Sequence, residues 1–356
     1  MAEAIAPDPD KLNKMVEQFV RDLGAVMHGA SIVIGEKLGL YLALNVPEGR
    51  TSAELAKATQ TSERFVREWL AAQAVSGYVN YDASTQRFSL SPEQAFVLTN
   101  EKGPAYFPGA FLLASATYRD EARILDAYRT GKGVGWHERD ANLFVGTSKF
   151  FRPNYVGNLV GSWLPALEGV VPRLEKGARV ADVGCGYGSS TLLMAEAYPR
   201  SEFFGYDYHD GSIKAARYYA ALDRAVERVH FDVASAQEFS GGPYDLVTLF
   251  DCLHDMSDPI GAAKRVKANL KPDGTWMVVE PAAGESLTEN MNPVGRVYYS
   301  ASSNICTPAS LFEPNGMGLG AQASTAQLRG VAEKGGFTKF RLAAQTPFNR
   351  VFEIRP

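Results

Sequence analysis

The sequence has few cysteines and no excess of positive charge. Its three cysteines, Cys185, Cys252 and Cys306, lie far apart and form no Cys-x-x-Cys pair, which argues against a disulfide framework and a zinc site. We therefore expect reduced thiols and no bound metal. The 36 Lys and Arg residues are outnumbered by 40 Asp and Glu residues, giving a formal net charge of -4. Such a chain has no basic field for phosphates, so we expect no nucleic acid partner.

Long apolar runs are also missing. No segment reaches the roughly 18 apolar residues of a membrane-spanning helix. The first residues, MAEAIAPDPDKLNK, lack a positive stretch followed by an apolar one, as a secretory signal would require. We therefore expect no membrane partner and a cytoplasmic location.

The length and the apolar content predict more than one domain. The chain has 356 residues, 46% of them hydrophobic, which is enough for two buried cores. We expect a mainly helical domain over residues 1–100, a helical linker over 101–165 that also covers a substrate pocket, and an α/β domain over 166–356.

Residues 51–90 predict a winged helix-turn-helix unit. Thr51, with Glu54 three residues later, caps one helix, and a second begins near Ser62. Two short strands follow, at Tyr78 to Tyr81 and Arg87 to Leu90. Such units often bind DNA through the second helix. Residues 1–100 hold nine Lys and Arg against twelve Asp and Glu, so packing or dimerisation is the favoured role.

Aromatic residues are frequent in the linker. Most of these aromatic residues are expected to pack in the core, but a segment between two domains is a common place for an apolar ligand pocket. We assign Phe151 and Tyr155 to substrate binding.

After Leu174 the pattern changes to short apolar strands that alternate with helices. This alternation is typical of a Rossmann-like, doubly wound parallel sheet, here with seven strands. The last two segments, FTKFRLAA and RVFEIR, are joined by QTPFN and predict an antiparallel hairpin at the end of the chain. Ser324 and Gly335 are the expected start and stop of the helix before it.

Three glycines follow the first of these strands, in VADVGCGYGSS. Gly184, Gly186 and Gly188 let the backbone approach a ligand closely, and the helix that begins at SST favours an anion at its N-terminus. The spacing differs from the dinucleotide fingerprint, whose third glycine comes one residue later. Asp207, 19 residues after Gly188, is placed to accept hydrogen bonds from ribose hydroxyls.

The segments VADVGCGYGSS, GYD, FDVA and LFDCLHD, in this order, resemble class I S-adenosylmethionine (SAM)-dependent methyltransferases over about residues 171–356. The resemblance implies SAM as cofactor. The three glycines would line its methionine end, Asp207 its ribose, Asp232 its adenine and Asp251 its ammonium or sulfonium. It also assigns to the cofactor site four neighbouring residues: Asp182, Tyr208, Val233 and Cys252.

The segment LHDMSD is similar to the small-molecule O-methyltransferases of plants and bacteria, which have HDWSD here and use the histidine as general base. The resemblance assigns this role to His254, with Glu280 orienting it, and implies a homodimer formed through the winged-helix domain. Met256 replaces the family's tryptophan. A polar residue that caps the following helix is the other interpretation of His254.

Proton transfer from a phenol, with a pKa of about 10, to a histidine of about 6.5 costs roughly 5 kcal/mol, whereas an aliphatic alcohol would cost far more. We therefore expect a phenolic or enolic hydroxyl on a small-molecule acceptor. N- or C-methylation of a small molecule and a SAM-sensing winged-helix regulator are the alternatives.

Residues 290–324 show no clear periodicity and predict a lid, a binding loop or a structural insertion. Asn292 and Tyr298 in this segment are assigned to substrate binding.

Overall fold

Helices dominate the first half of the chain in the computed structural model, which describes residues 7–223 and 227–356. The N-terminal region consists of α1 (Pro9–Lys37), α2 (Leu40–Leu44), α3 (Ser52–Thr59), α4 (Glu63–Val75), the strands β1 (Asn80–Asp82) and β2 (Arg87–Ser89), and α5 (Pro92–Thr99). The two strands pair antiparallel, with Tyr81 opposite Phe88. These elements confirm the predicted winged-helix pattern.

The helix boundaries follow the capping residues seen in the sequence. Thr51 Oγ1 accepts the Glu54 amide at 3.3 Å, and Glu54 Oε2 accepts the Thr51 amide at 2.9 Å. This capping box satisfies two amides that the helix itself leaves free. The core beneath is formed by buried aliphatic side chains of α1 to α4, among them Ile32, Leu44, Leu55 and Leu70.

Four further helices lead to the sheet: α6 (Pro108–Arg119), α7 (Glu121–Thr130), α8 (Ala141–Asn158) and α9 (Val170–Lys176). Helix α8 packs closely on α6 because Gly146 has no side chain, since a Cβ there would lie 2.4 Å from the Leu113 amide nitrogen. Within the described residues, no helix has the length and apolarity needed to cross a membrane.

The second half of the chain forms one seven-stranded sheet. Its elements are β3 (Arg179–Val183), α10 (Ser189–Ala197), β4 (Glu202–Asp207), α11 (Asp210–Leu222), β5 (Val229–Val233), β6 (Tyr244–Phe250), α12 (Pro259–Asn269), β7 (Leu270–Pro281), α13 (Pro293–Asn304), α14 (Cys306–Ser310), α15 (Thr325–Lys334), β8 (Lys339–Gln345) and β9 (Asn349–Arg355). The strand order is β5-β4-β3-β6-β7-β9-β8. The first five strands of this order are parallel, whereas β9 pairs antiparallel with both β7 and β8. The predicted doubly wound sheet with a terminal hairpin is confirmed.

The segment 290–324 is more regular than its sequence indicates, since α13 and α14 lie inside it. The expectation of a loop is therefore wrong for residues 293–310. Helix α13 begins at Pro293 behind the cap Asn292, and it buries only Gly295, Tyr298 and Ser302. Two of these three buried residues are not hydrophobic, so the hydrophobic periodicity is faint.

Candidate active site

The glycine turn between β3 and α10 has a left-handed backbone at each glycine, with φ of +75° at Gly184, +53° at Gly186 and +78° at Gly188. A Cβ on Gly184 would lie 2.7 Å from Cys252 Sγ, and one on Gly188 would lie 2.6 Å from Phe231 Cζ. No atom lies within 4 Å of a Cβ built on Gly186. Gly184 and Gly188 therefore permit close packing, of the turn on Cys252 and of α10 on the sheet, whereas Gly186 faces open space. Gly184 and Gly186 both line the cavity described below.

Two carboxylates hold this turn in place. Asp182 is buried, and its oxygens accept hydrogen bonds from Ser190, Thr191 and Thr248 at 2.6 to 3.0 Å. Asp207 Oδ2 accepts the Gly186 amide and Oδ1 accepts the His209 amide, both at 2.9 Å. Burial raises the pKa of both carboxyls, and these hydrogen bonds oppose the rise.

A cavity of about 410 Å³ opens beside the turn. It lies beyond the carboxyl ends of β3, β4 and β6, where a doubly wound sheet binds its ligands. Eight of the predicted cofactor-site and substrate-site residues share the lining: Phe151, Tyr155, Gly184, Gly186, Asp207, Tyr208, Asp251 and Cys252. The cavity lining therefore combines residues of α8 with residues at the carboxyl ends of the strands.

Asp251 follows β6 and has a left-handed backbone, with φ of +50°. Its oxygens accept hydrogen bonds from Tyr155 at 3.0 Å and from the Asn349 amide group at 2.6 Å. Burial, reinforced by the negative charge of Glu280, raises the pKa of Asp251 to about 8. A ligand cation at this position would favour the ionised form.

His254 lies in the short turn Leu253–Asp255 and is buried. Its Nδ1 lies 2.5 Å from Glu280 Oε2, and Glu280 Oε1 accepts the Leu253 amide at 3.0 Å. Nε2 lies 3.1 Å from Asp255 Oδ1. Burial alone would lower the pKa of His254, but the negative charges of Glu280 and Asp255 outweigh it and raise the pKa well above its ordinary value.

His254 and Glu280 are therefore side by side, as the sequence predicts, but neither lines the cavity. Asp255 does line it, and it separates the imidazole from the open space. A proton passing from a ligand in the cavity to His254 would therefore have to pass Asp255.

Six other predicted residues lie outside the cavity lining, among them Asp182 and Gly188, whose contacts are given above. Asp232 is exposed and pairs with Arg217 at 3.2 Å, and Val233 beside it borders a separate shallow depression at the β5 edge. Asn292 is exposed and caps α13 through the Gly295 amide. Tyr298 is buried and donates its hydroxyl to the Phe348 carbonyl at 2.8 Å. The lining instead continues from β5 into residues 234–237.

Several lining residues were not singled out from the sequence. Trp136 and His137 come from a turn in the linker, and the Trp136 amide donates to Tyr208 Oη at 3.1 Å. Phe144 on α8 stacks on His209, with ring centroids 4.2 Å apart. Phe312, after α14, meets His137 edge-on at 5.1 Å. Trp136 and Phe144 belong to the aromatic linker that the sequence indicates as a pocket cover, and Asp255 follows the candidate base directly.

Comparisons with known proteins agree with this architecture. Residues 174–333 match the family described as a methyltransferase domain, and residues 23–100 match the Rv2258c-like winged HTH domain. The chain therefore carries a methyltransferase domain behind a winged-helix domain of that kind.

Among proteins of known function, the ubiquinone biosynthesis O-methyltransferase of Bordetella avium is 32% identical over 131 residues, which are 36% of this chain and 51% of that protein. The chain spans about half or less of the length of the first curated relatives it matches.

Solved structures share the fold over nearly the whole chain. Human N-acetylserotonin methyltransferase in complex with SAM has a TM-score of 0.73 at 15% identity, covering 99% of both chains. NcsB1, an O-methyltransferase from neocarzinostatin biosynthesis, was solved with S-adenosylhomocysteine (SAH) and 1,4-dihydroxy-2-naphthoic acid. It has a TM-score of 0.62 at 17% identity and covers 95% of this chain and 98% of its own. At these identities the likeness shows the fold.

Proposed function

We propose that the protein is a SAM-dependent methyltransferase that modifies an acidic hydroxyl, phenolic or enolic, on a small molecule. The observation that carries this proposal is the 410 Å³ cavity, which joins the bare glycine turn and the Asp207 and Asp251 carboxyls to an aromatic wall from α8. One cavity therefore has room and suitable groups for a cofactor and an acceptor side by side.

The residues of the turn fit SAM. Gly184 and Gly186 leave main-chain groups uncovered, and each Asp207 oxygen, which accepts one backbone amide, retains a lone pair for a ribose hydroxyl. Asp251 offers a buried carboxyl to a cationic group. When bound, the cofactor supplies a methyl group already activated on a sulfonium, so the protein's task is mainly to position the acceptor.

The acceptor hydroxyl must lose its proton as it is methylated. We assign general-base catalysis to His254, with Glu280 fixing the ring through Nδ1 and Asp255 standing between Nε2 and the cavity. A histidine whose pKa is raised is a stronger base when neutral, although a smaller fraction of it is neutral at pH 7. The buried carboxylates thus match the base to an acceptor of higher pKa.

We further propose a homodimer formed through α1. Nine large apolar side chains of this helix are exposed: Leu12, Met15, Val16, Phe19, Val20, Leu23, Val26, Met27 and Ile34. Such a stripe, when exposed, typically marks an interaction surface. Light scattering should give twice the mass of one chain, and Phe19→Glu should reduce it to one.

The winged helix is not proposed as a DNA reader. On α4, the second helix of the unit, Arg64 and Arg67 pair with Glu68 and Glu63 at 2.5 Å, so their charge is not free for phosphates. The cytoplasmic location also stays a prediction.

Calorimetry with SAM and SAH, with a nicotinamide dinucleotide as control, tests the cofactor. Incubation with methyl-labelled SAM and a panel of phenols, followed by mass spectrometry, tests the transfer. We expect binding of both adenosyl compounds and a labelled methyl ether. Binding of the dinucleotide without SAM would contradict the proposal, and tight, sequence-selective DNA binding in a gel shift would favour a regulator.

A further inference from the structure

The lining of the cavity is rich in carboxyl groups. Its lining includes four carboxyl groups, those of Asp207, Asp251, Asp255 and Glu313, and among the described residues that line it none is Lys or Arg. An acceptor bound here meets negative charge or neutral surface. The cavity therefore discriminates by charge as well as by shape.

Cations near the cavity are already engaged elsewhere. Arg139 is buried behind it, 3.8 Å from Asp120, and donates to the Ile305 carbonyl. Lys149 on α8 pairs with Glu36 and with Glu101. The His254 ring lies between two carboxylates. A carboxylate on the acceptor would have to displace one of these partners to gain a cation.

The lining histidines have other contacts. His209 Nδ1 caps α11 by accepting the Ser212 amide at 3.0 Å, and its ring stacks on Phe144. His137 packs edge-on against Phe312. Their contacts orient both rings by packing rather than by pairing with an anion.

Asp255 is the group that an acceptor meets on the side of the candidate base. Its side chain is nine-tenths buried, and what remains exposed belongs to the cavity. Oδ1 is itself buried, 3.1 Å from His254 Nε2, and no donor in the described part of the chain meets it with hydrogen-bond geometry. A ligand in the cavity can therefore reach this carboxylate only at its exposed remainder. A buried carboxylate with open hydrogen-bonding capacity favours a ligand that brings a donor.

We propose that the acceptor carries no negative charge in its resting state, being neutral or cationic, and that Asp255 receives a hydrogen bond from its hydroxyl. This inference rests on the proposed function and names the substrate class of the same site. A carboxylate on the acceptor would be buried beside Asp255 with no cation of its own, and burying such an unpaired charge is costly.

The comparison with NcsB1 makes the inference specific. That protein was solved with a dihydroxynaphthoic acid, whereas the cavity described here should reject the acid and accept the corresponding neutral phenol. The shared fold therefore does not fix the charge of the acceptor.

Three phenols of similar length test this inference: 4-propylphenol, which is neutral, tyramine, which is cationic, and 3-(4-hydroxyphenyl)propanoate, which is anionic. Each is titrated by calorimetry into the SAH-loaded protein, and methyl transfer from labelled SAM is followed separately. We expect the anionic phenol to bind at least about tenfold more weakly than the neutral one. Asp255→Asn should narrow this ratio, and so should Glu313→Gln at the exposed edge of the cavity. Glu68→Gln, on the exposed face of α4, is the matched control and should leave it unchanged.

Equal or tighter binding of the anionic phenol by the unaltered protein would overturn the inference, as would a ratio that Asp255→Asn and Glu313→Gln both leave unchanged. Failure of the proposed function gives a different pattern. If the charge order holds but the label is found on the tyramine nitrogen, hydroxyl transfer is wrong while the charge rule stands. If SAH does not bind, the cofactor assignment fails before any phenol is added.

Discussion

The two ends of the cavity are constructed differently. At the end where we propose the cofactor, called here the cofactor end, the lining comes from the glycine turn and from residues that end or follow β3, β4 and β6, neighbouring strands of one sheet. At the acceptor end, it comes from α8, from the turn Trp136–Glu138 and from the chain after α14. The first end is formed by main-chain groups and by residues at strand termini. The second end is formed by side chains from segments that are distant in the sequence.

This difference determines which lining residues tolerate replacement and which do not. A glycine with positive φ and a neighbour at 2.7 Å, such as Gly184, tolerates almost no replacement. An aromatic wall can change in shape while the sheet behind it stays intact. A fold of this kind can therefore keep one cofactor and change acceptors.

The largest expected effect is at the boundary between the two ends. His254→Ala should lower turnover by about 100-fold or more, because it removes the general base, while SAH affinity measured by calorimetry stays nearly intact. It should also lower the melting temperature, since Glu280 and Asp255 lose the cation between them. Unchanged turnover per folded molecule would remove the assignment of His254 as base.

The pH profile sharpens this test. Because the pKa of His254 is raised in the folded protein, the neutral base becomes more abundant as pH rises, so turnover should increase above pH 7. The same shift stabilises the fold below the ordinary pKa of about 6.5, and this stability is lost as pH rises through the higher folded value. A turnover that falls with rising pH would argue against a base of raised pKa.

Gly184→Ala should be next in size and should affect the cofactor end alone. A left-handed conformation costs a residue with a side chain roughly 1–2 kcal/mol, and the added Cβ would meet Cys252 Sγ at 2.7 Å. We expect SAH affinity to fall about tenfold or more in calorimetry. Gly131→Ala is the matched control, because Gly131 has φ of +73° and no atom within 4 Å of a Cβ. If both variants lost SAH affinity equally, backbone strain, and not the contact with Cys252, would be what limits position 184.

Asp251 gives a smaller effect that depends on pH. With a pKa of about 8, its carboxyl is mostly protonated at pH 7, and a cationic ligand must displace that proton. Cofactor affinity should therefore rise by up to about tenfold per pH unit from pH 6 and level off above pH 8. Calorimetry in two buffers of different protonation enthalpy should detect proton release below pH 8.

Asp251→Asn is the control for this titration. The variant has no titrating carboxyl at position 251, so this residue no longer contributes to the pH dependence of cofactor affinity. Any ionisation of the ligand itself affects both proteins equally. A pH dependence that persists unchanged in the variant would show that Asp251 does not face the cationic part of the cofactor.

More of the lining at the proposed cofactor end than at the proposed acceptor end was singled out from the sequence. The signals for Gly184, Asp207 and Asp251 are local, because each lies at or just after a strand whose apolar pattern is clear, and parallel strands bring such ends together. Asn349 on β9 donates a hydrogen bond to Asp251, 98 residues away in the chain. No local sequence pattern reveals this contact. The predicted adenine contact, Asp232, pairs with Arg217 on the surface, so a strand-end carboxylate alone does not identify a ligand.

The smallest expected effect tests whether the acceptor end is independent. Phe151 lines the cavity on α8 and stacks parallel to Tyr155, with centroids 6.1 Å apart. Phe151→Leu keeps an apolar side chain of smaller volume and should cost less than about 1.5 kcal/mol of stability. We expect the acceptor KM to change by a few fold while SAH affinity in calorimetry stays the same. Because Tyr155 also donates to Asp251, a parallel loss of SAH affinity would mean that this ring transmits acceptor packing to the cofactor carboxyl, and the two ends would then have to be treated as one site.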